Sequence, residues 1–304
     1  MSAATDRREV PPTFAVGTGR SGTHFVAQLF AREPAVASHH ERAPLADSFH
    51  RYCVWNRLPV DHAGFVASKA AGVAADRALG KLSFEASPFL ALSTPVLREA
   101  FGARFALLLR RPDRVVNSFL AKGWYESDPA RADARLALGY QHAGTRPHHP
   151  FSRLAALGDD GARWARLSRV GKLAYFWRRL NEATLRDLSA LPEDAVRVLT
   201  LERFDWGAYC DLAQFIGLAP TLSRKAFARI ASQKPGARGP TPRAADWSAT
   251  EAAEFEAEVA PLAERFGYEW RVSALRAEPE PARAEPTLAA RVRGLFGGGL
   301  SQRG

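Results

Sequence analysis

The sequence predicts an α/β protein, a parallel β-sheet flanked by helices, and three stretches carry that prediction. Phe14-Ala15-Val16 is a short apolar run leading into a Gly-rich turn, after which Phe25, Val26, Leu29 and Phe30 recur at helical spacing. Phe105-Ala106-Leu107-Leu108-Leu109 is apolar at every position, as a strand covered on both faces must be. Val196-Arg197-Val198-Leu199 follows Pro192 and a long amphipathic pattern made by Leu173, Phe176, Leu180, Thr184 and Leu188. Strands alternating with helices imply parallel pairing with helical layers on both faces.

The remaining elements fit between these. Ala35 to Ser38 reads as a second strand. Pro112 sits at the first position of a helix, Asp113 favours its positive end, and Val115, Val116, Phe119 and Leu120 form its buried face. Near the end, Phe255, Val259, Leu262 and Phe266 mark another amphipathic helix. Trp164, Tyr175, Phe176 and Trp177 are read as packing residues.

With 304 residues, 46% of them hydrophobic, the chain is long enough for one elaborated domain. That domain is expected over 13–273, after a polar tail at 1–12 and before a Pro/Glu/Arg-rich, mobile tail at 274–304. Residues 125–168 are polar and interrupted by Pro129, Pro147 and Pro150, the pattern of a lid or acceptor-binding insertion. The first twelve residues lack an apolar leader segment and no run is long enough to cross a bilayer, so a soluble, cytoplasmic protein is expected. Cys53 and Cys210 are too few for a disulfide framework and read as ordinary buried thiols.

Forty-two Lys and Arg against 32 Asp and Glu leave a formal charge of +10. Such a surplus attracts phosphorylated, sulfated or membrane anions without specifying a fold. Charge alone does not make nucleic acid the expected partner.

The chemistry concentrates in Gly17-Thr18-Gly19-Arg20-Ser21-Gly22-Thr23-His24, between the first strand and its helix. A loop of this kind turns backbone N–H groups toward an anion, and the helix adds the positive end of its dipole. It departs from the NTP-binding P-loop motif: counted from Gly17, Thr23 stands where that motif needs Lys, and His24 where it needs a magnesium-binding Ser or Thr.

The same eight residues resemble the 5′-phosphosulfate loop of sulfotransferases that use 3′-phosphoadenosine 5′-phosphosulfate (PAPS), of the bacterial, carbohydrate-type kind. Leu109-Arg110-Arg111-Pro112-Asp113-Arg114-Val115-Val116-Asn117-Ser118 is similar to the family's strand-to-helix element that holds the donor's 3′-phosphate. Trp247-Ser248-Ala249-Thr250 and the helix ending in Gly267-Tyr268 resemble its C-terminal element. The resemblance covers roughly Phe14 to Trp270 and implies a P-loop-NTPase-like sulfotransferase fold, PAPS as donor substrate and no metal. It assigns donor binding to Gly19, Arg20, Ser21, Gly22, Thr23, His24, Arg110 and Ser118, with a last basic contact that could be Lys234, Arg238 or Arg243, of which Lys234 and Arg238 are taken as candidates. Cytosolic members carry Lys where this chain has Arg20. An arginine there can stabilise charge but cannot donate a proton.

For the base that takes the acceptor's proton, the resemblance points to Glu41, just beyond the second strand. Burial would raise its pKa toward a useful range, with Arg42 and the basic donor site opposing. His40 comes next, with His39 and His50 as further alternatives. The other reading of Glu41 is a surface carboxylate paired with a nearby Arg. Glu85, in Lys81 to Pro88, resembles an acceptor-side segment of carbohydrate members but by itself reads as an exposed loop carboxylate. Adjacent histidines, His39-His40 and His148-His149, have no partners at metal-ligand spacing.

The acceptor implied is a small molecule, glycan or lipid bearing a hydroxyl or amine. Leu288 to Phe296 mixes apolar residues with Arg291 and Arg293 and would give at most weak contact with an anionic membrane. Two other readings stay open: a kinase or phosphotransferase with a degenerate P-loop, and a non-catalytic polyanion-binding protein.

Overall fold

The structure, a computed structural model, describes residues 9–126, 151–156, 158–233 and 242–277. Five parallel strands make its sheet: β1 (Thr13–Gly17), β2 (Val36–His40), β3 (Leu82–Ala86), β4 (Arg104–Leu109) and β5 (Val196–Thr200), in the order β2-β3-β1-β4-β5. Around it lie α1 (Thr23–Phe30), α2 (Pro44–Trp55), α3 (His62–Ala78), α4 (Thr94–Phe101), α5 (Pro112–Leu120), α6 (Gly161–Arg166), α7 (Arg169–Ser189), α8 (Trp206–Phe215), α9 (Arg224–Ala231), α10 (Ala249–Arg265) and α11 (Val272–Ala277).

Alternation along the central strands sorts the core into two layers. Phe14, Val16, Phe105, Leu107 and Leu109 face α2, α3, α4, α5, α7 and α10; Ala15, Phe84, Ala86, Ala106 and Leu108 face α1, α8 and α9. Trp177, Phe176 and Tyr175 on α7 are buried, as is Trp164, in agreement with their packing roles. No helix among the described residues is long and apolar enough to cross a membrane.

The chain departs from the sequence reading in several places. Lys81 to Pro88 is no exposed loop: it contains the interior strand β3, and Glu85 is 3% exposed. The sequence disguises this strand because a carboxylate occupies one of its buried positions, where Lys69 of α3 neutralises it. Within 125–168, residues 127–150 and 157 lie outside the described residues. Phe151 and Leu154 beyond them are core residues, the Tyr125 hydroxyl donates to Leu154 O (2.5 Å), and Trp55 Nε1 donates to Ala155 O (2.7 Å). This part of the segment is scaffold. Helix α11 runs across the expected boundary at 274; residues 278–304 lie outside the described region, as do 1–8. Cys53 is buried, but Cys210 is only half-buried.

Candidate functional site

Because all five strands run the same way, the loops leaving their carboxyl ends share one rim. From β1 the chain crosses to β2 on one side, and from β4 it crosses to β5 on the other. The β1–β4 pair is thus the point where connections diverge, the place where parallel α/β sheets commonly bind ligands.

The loop after β1 fills that point. Gly17 lets it approach β4 closely, since a Cβ there would lie 2.6 Å from Leu108 O and from Ser21 Oγ. Gly19 (φ 81°), Arg20 (φ 57°) and Gly22 (φ 105°) are left-handed, and for Arg20 this costs roughly 1–2 kcal/mol. Helix α1 starts from Gly22 with no side-chain cap. Among the described residues, the backbone N–H groups of Gly19, Arg20, Ser21, Gly22 and Thr23 find no acceptor. The Ser21 hydroxyl is fully buried and equally unpartnered. A row of free donors around an orphaned hydroxyl at a helix start suits a phosphate- or sulfate-like anion.

The second motif closes onto the first. Arg110 follows β4 and donates from Nη1 to Arg20 O (2.8 Å), and Arg20 Nε donates to Ser118 Oγ (2.7 Å) on α5. Burial pulls Arg110 below the usual arginine value; Glu202 opposes this, and the nearby charges of Arg20 and Arg114 add to it. Arg20 and Arg110 are thus brought side by side at the loop, where a cationic pair suits an incoming anion. Two tryptophans fix the frame: Trp177 Nε1 donates to Arg110 O (3.1 Å), and Trp247 Nε1 to Asn117 Oδ1 (3.1 Å) beside Ser118. His24 is exposed at the rim, its ring edge-to-face with His40 at 5.0 Å. Lys234 and Arg238 lie outside the described residues.

Glu41 follows β2 at the same rim. It is half-buried, left-handed (φ 53°), and donates its backbone N–H to Ala86 O (3.1 Å). Burial raises its carboxyl pKa, opposed by Arg51 and then Arg20. Arg20 belongs to the basic donor site expected to oppose the shift, whereas Arg42, the other expected opponent, turns instead to Asp76 and Glu85. Each histidine alternative is already committed. His40 Nε2 lies 3.2 Å from Thr23 Oγ1, and burial, with His24 adding, lowers its pKa to about 4. His50 is buried between Ser93 Oγ (3.0 Å) and His62 Nδ1 (3.2 Å), and burial lowers it to about 4, with His62 and Lys69 adding. His39 Nε2 meets Asp76 Oδ1 at 3.1 Å. No metal-binding group of His, Cys, Asp and Glu occurs among the described residues.

The fold and this rim define an α/β protein whose β1–α1 loop can receive an anion. No family model matches the chain, and no curated protein does. Among solved structures, it is similar to the sulfotransferase domain from the Synechococcus PCC 7002 olefin synthase, at 15% identity and a TM-score of 0.47, covering 85% of this chain and 95% of that one. The sulfotransferase domain from the curacin biosynthetic pathway is similar at 15% identity and a TM-score of 0.45, covering 85% of this chain and 98% of that one. Likeness at this level carries neither reaction nor substrate to this chain.

Proposed function

We propose that the protein is a sulfotransferase that moves a sulfuryl group from PAPS to a hydroxyl or amine of a small-molecule, glycan or lipid acceptor. The observation that carries this reading is the link between the two anion-binding motifs. Arg20 of the β1–α1 loop donates to Ser118 of α5, and Arg110 donates back to the loop. Two anion sites braced against each other suit a nucleotide with phosphates at both its 5′ and 3′ positions. A magnesium–nucleotide site is disfavoured by Thr23 and His24, which stand where Lys and Ser or Thr would be needed.

The bound donor supplies an activated sulfuryl group with a phosphate leaving group. The loop N–H groups and Ser21 Oγ would hold the phosphosulfate, Arg20 would stabilise charge as the bridging S–O bond breaks, and Arg110 with Ser118 would hold the 3′-phosphate. Glu41 would accept the acceptor's proton as its oxygen or nitrogen bonds to sulfur. Positioning and charge stabilisation supply most of the rate in such a transfer, by analogy with phosphoryl transfer.

The test is transfer of labelled sulfate from PAPS across panels of glycans, lipids, phenols and peptides. Labelled product that disappears with Arg20→Ala supports the reading. Labelled phosphate transfer from ATP instead would favour a phosphotransferase.

A further inference from the structure

Beneath Glu41 lies a buried ionic cluster that donor binding does not use. Lys69 of α3 is 3% exposed and donates from Nζ to Asp47 Oδ2 (2.7 Å) of α2 and to Glu85 Oε1 and Oε2 (2.9 and 3.1 Å) of β3. Glu85 Oε1 also accepts the backbone N–H of Arg42 (3.2 Å). The Arg42 guanidinium pairs with Asp76 at the end of α3, whose carboxylate takes further bonds from Ser83 Oγ (2.6 Å) and meets His39 Nε2 (3.1 Å). Burying so many charges is expensive, and a pair of this kind is poor support for stability alone.

The cluster's geometry gives it another role. Its contacts fall on His39 and Arg42, on either side of His40 and Glu41, and Arg42 is gripped at both backbone and side chain. Between these holds Glu41 keeps a left-handed backbone that an L-residue does not adopt unaided. We propose that Glu85, through the Arg42 N–H that it accepts, is a positioning residue for Glu41: it anchors the turn after β2 and so keeps the Glu41 carboxylate at the rim, within the field of Arg20. This rests on Glu41 being the proton acceptor of the reaction proposed above.

The test reads Glu41 itself. Full-length protein labelled with ¹³C at glutamate carboxyls is titrated by NMR, the Glu41 signal being the one lost in Glu41→Gln. Burial raises its midpoint against Arg51 of α2 and Arg20 of the loop; His40 of β2 also faces it, 3.8 Å away, with His24 of α1 behind His40. Replacing the pair together, Lys69→Met with Glu85→Leu, removes both charges at similar volume and deprives Arg42 N–H of its acceptor. The Glu41 midpoint should then fall toward the ordinary glutamate value of about 4.3. Glu85→Gln, which keeps an oxygen for Arg42 N–H, should preserve it. Should the double variant fail to fold, Arg42→Leu, which cuts the side-chain links at a more exposed position, should move the midpoint the same way. An unchanged midpoint in a folded variant of either kind overturns the proposal. Affinity for 3′-phosphoadenosine 5′-phosphate is measured alongside and should not change. If the wild-type protein does not bind that nucleotide, the functional reading fails while the positioning result stands.

Discussion

Arg20 Nε and Ser118 Oγ, 98 positions apart in the chain, lie 2.7 Å from each other across the carboxyl ends of β1 and β4. The bond ties the loop that would hold the donor's 5′ end to the helix that would hold its 3′ end. Ser118 therefore does not wait free for a phosphate; it first orients the arginine.

Arg110 is the most sensitive point of that arrangement, since it holds Arg20 O and, in the proposed reading, would also contact the anion. Arg110→Ala should weaken binding of 3′-phosphoadenosine 5′-phosphate at least tenfold, a charge-assisted bond being worth about 1.5–3 kcal/mol. Ser118→Ala should act in the same direction but less. Calorimetric titration checks both, and an undiminished affinity in Arg110→Ala would remove the 3′-phosphate assignment.

Glu41→Gln should lower turnover by about 10²–10⁴-fold while leaving donor affinity nearly unchanged. Because burial raises the Glu41 pKa, the wild-type rate should climb with pH through that raised value and be lost below it. His40→Ala should retain most turnover, since a pKa lowered to about 4 leaves that ring a weak base and it is engaged with Thr23. Near-normal turnover in Glu41→Gln with loss in His40→Ala would make the histidine the base.

Much of the frame was legible in the sequence. The uninterrupted apolar run of β4, Pro112 at the start of α5 and the helical spacing of Phe255, Val259 and Leu262 in α10 each act locally, so their signals survive without tertiary context. Strand β3 did not, because Glu85 becomes a strand residue only when Lys69 from another element neutralises it. The extension of β2 through His39 and His40 was hidden for a related reason: both rings are satisfied by distant partners, Asp76 and Thr23. The loop motif and Arg110 were readable as types at a spacing. The commitments of the histidines, and the turning of Arg42 away from Glu41, depend on side-chain geometry that no spacing encodes.

Asp47 should make the fold sensitive to rising pH. Burial pushes its carboxyl up to about 7, with Lys69 opposing and Glu85 adding. A carboxyl with a raised native pKa binds more protons folded than unfolded, so stability falls as pH rises from about 3.9, its ordinary value, through about 7. Asp47→Asn should lack that loss, so its thermal midpoint should gain on the wild type across this window and run parallel above it. Parallel curves throughout would show that Asp47 does not titrate there.

Glu33 should act in the opposite sense. Burial alone would raise its pKa, but bonds from Thr221, Tyr209 and Leu222 outweigh that and lower it. Its stabilisation is therefore present above the ordinary value of about 4.3 and lost as pH falls through the lower folded value. Glu33→Ala orphans the Tyr209 hydroxyl and the N–H groups of Thr221 and Leu222, at about 1–3 kcal/mol for each group that water does not reach. Chemical denaturation at neutral and acid pH should show a large difference from wild type that narrows in acid.

Whether the rim holds a 3′-phosphorylated adenosine nucleotide without metal is tested most directly by thermal unfolding with 3′-phosphoadenosine 5′-phosphate and, separately, with magnesium and ATP. Ligand that binds only the folded state raises the midpoint with concentration, by about 2.7 kcal/mol of stabilisation at one hundred times its dissociation constant. The account predicts such a rise with 3′-phosphoadenosine 5′-phosphate in the presence of a chelator, and its loss in Arg110→Ala. Stabilisation by magnesium and ATP alone would contradict it.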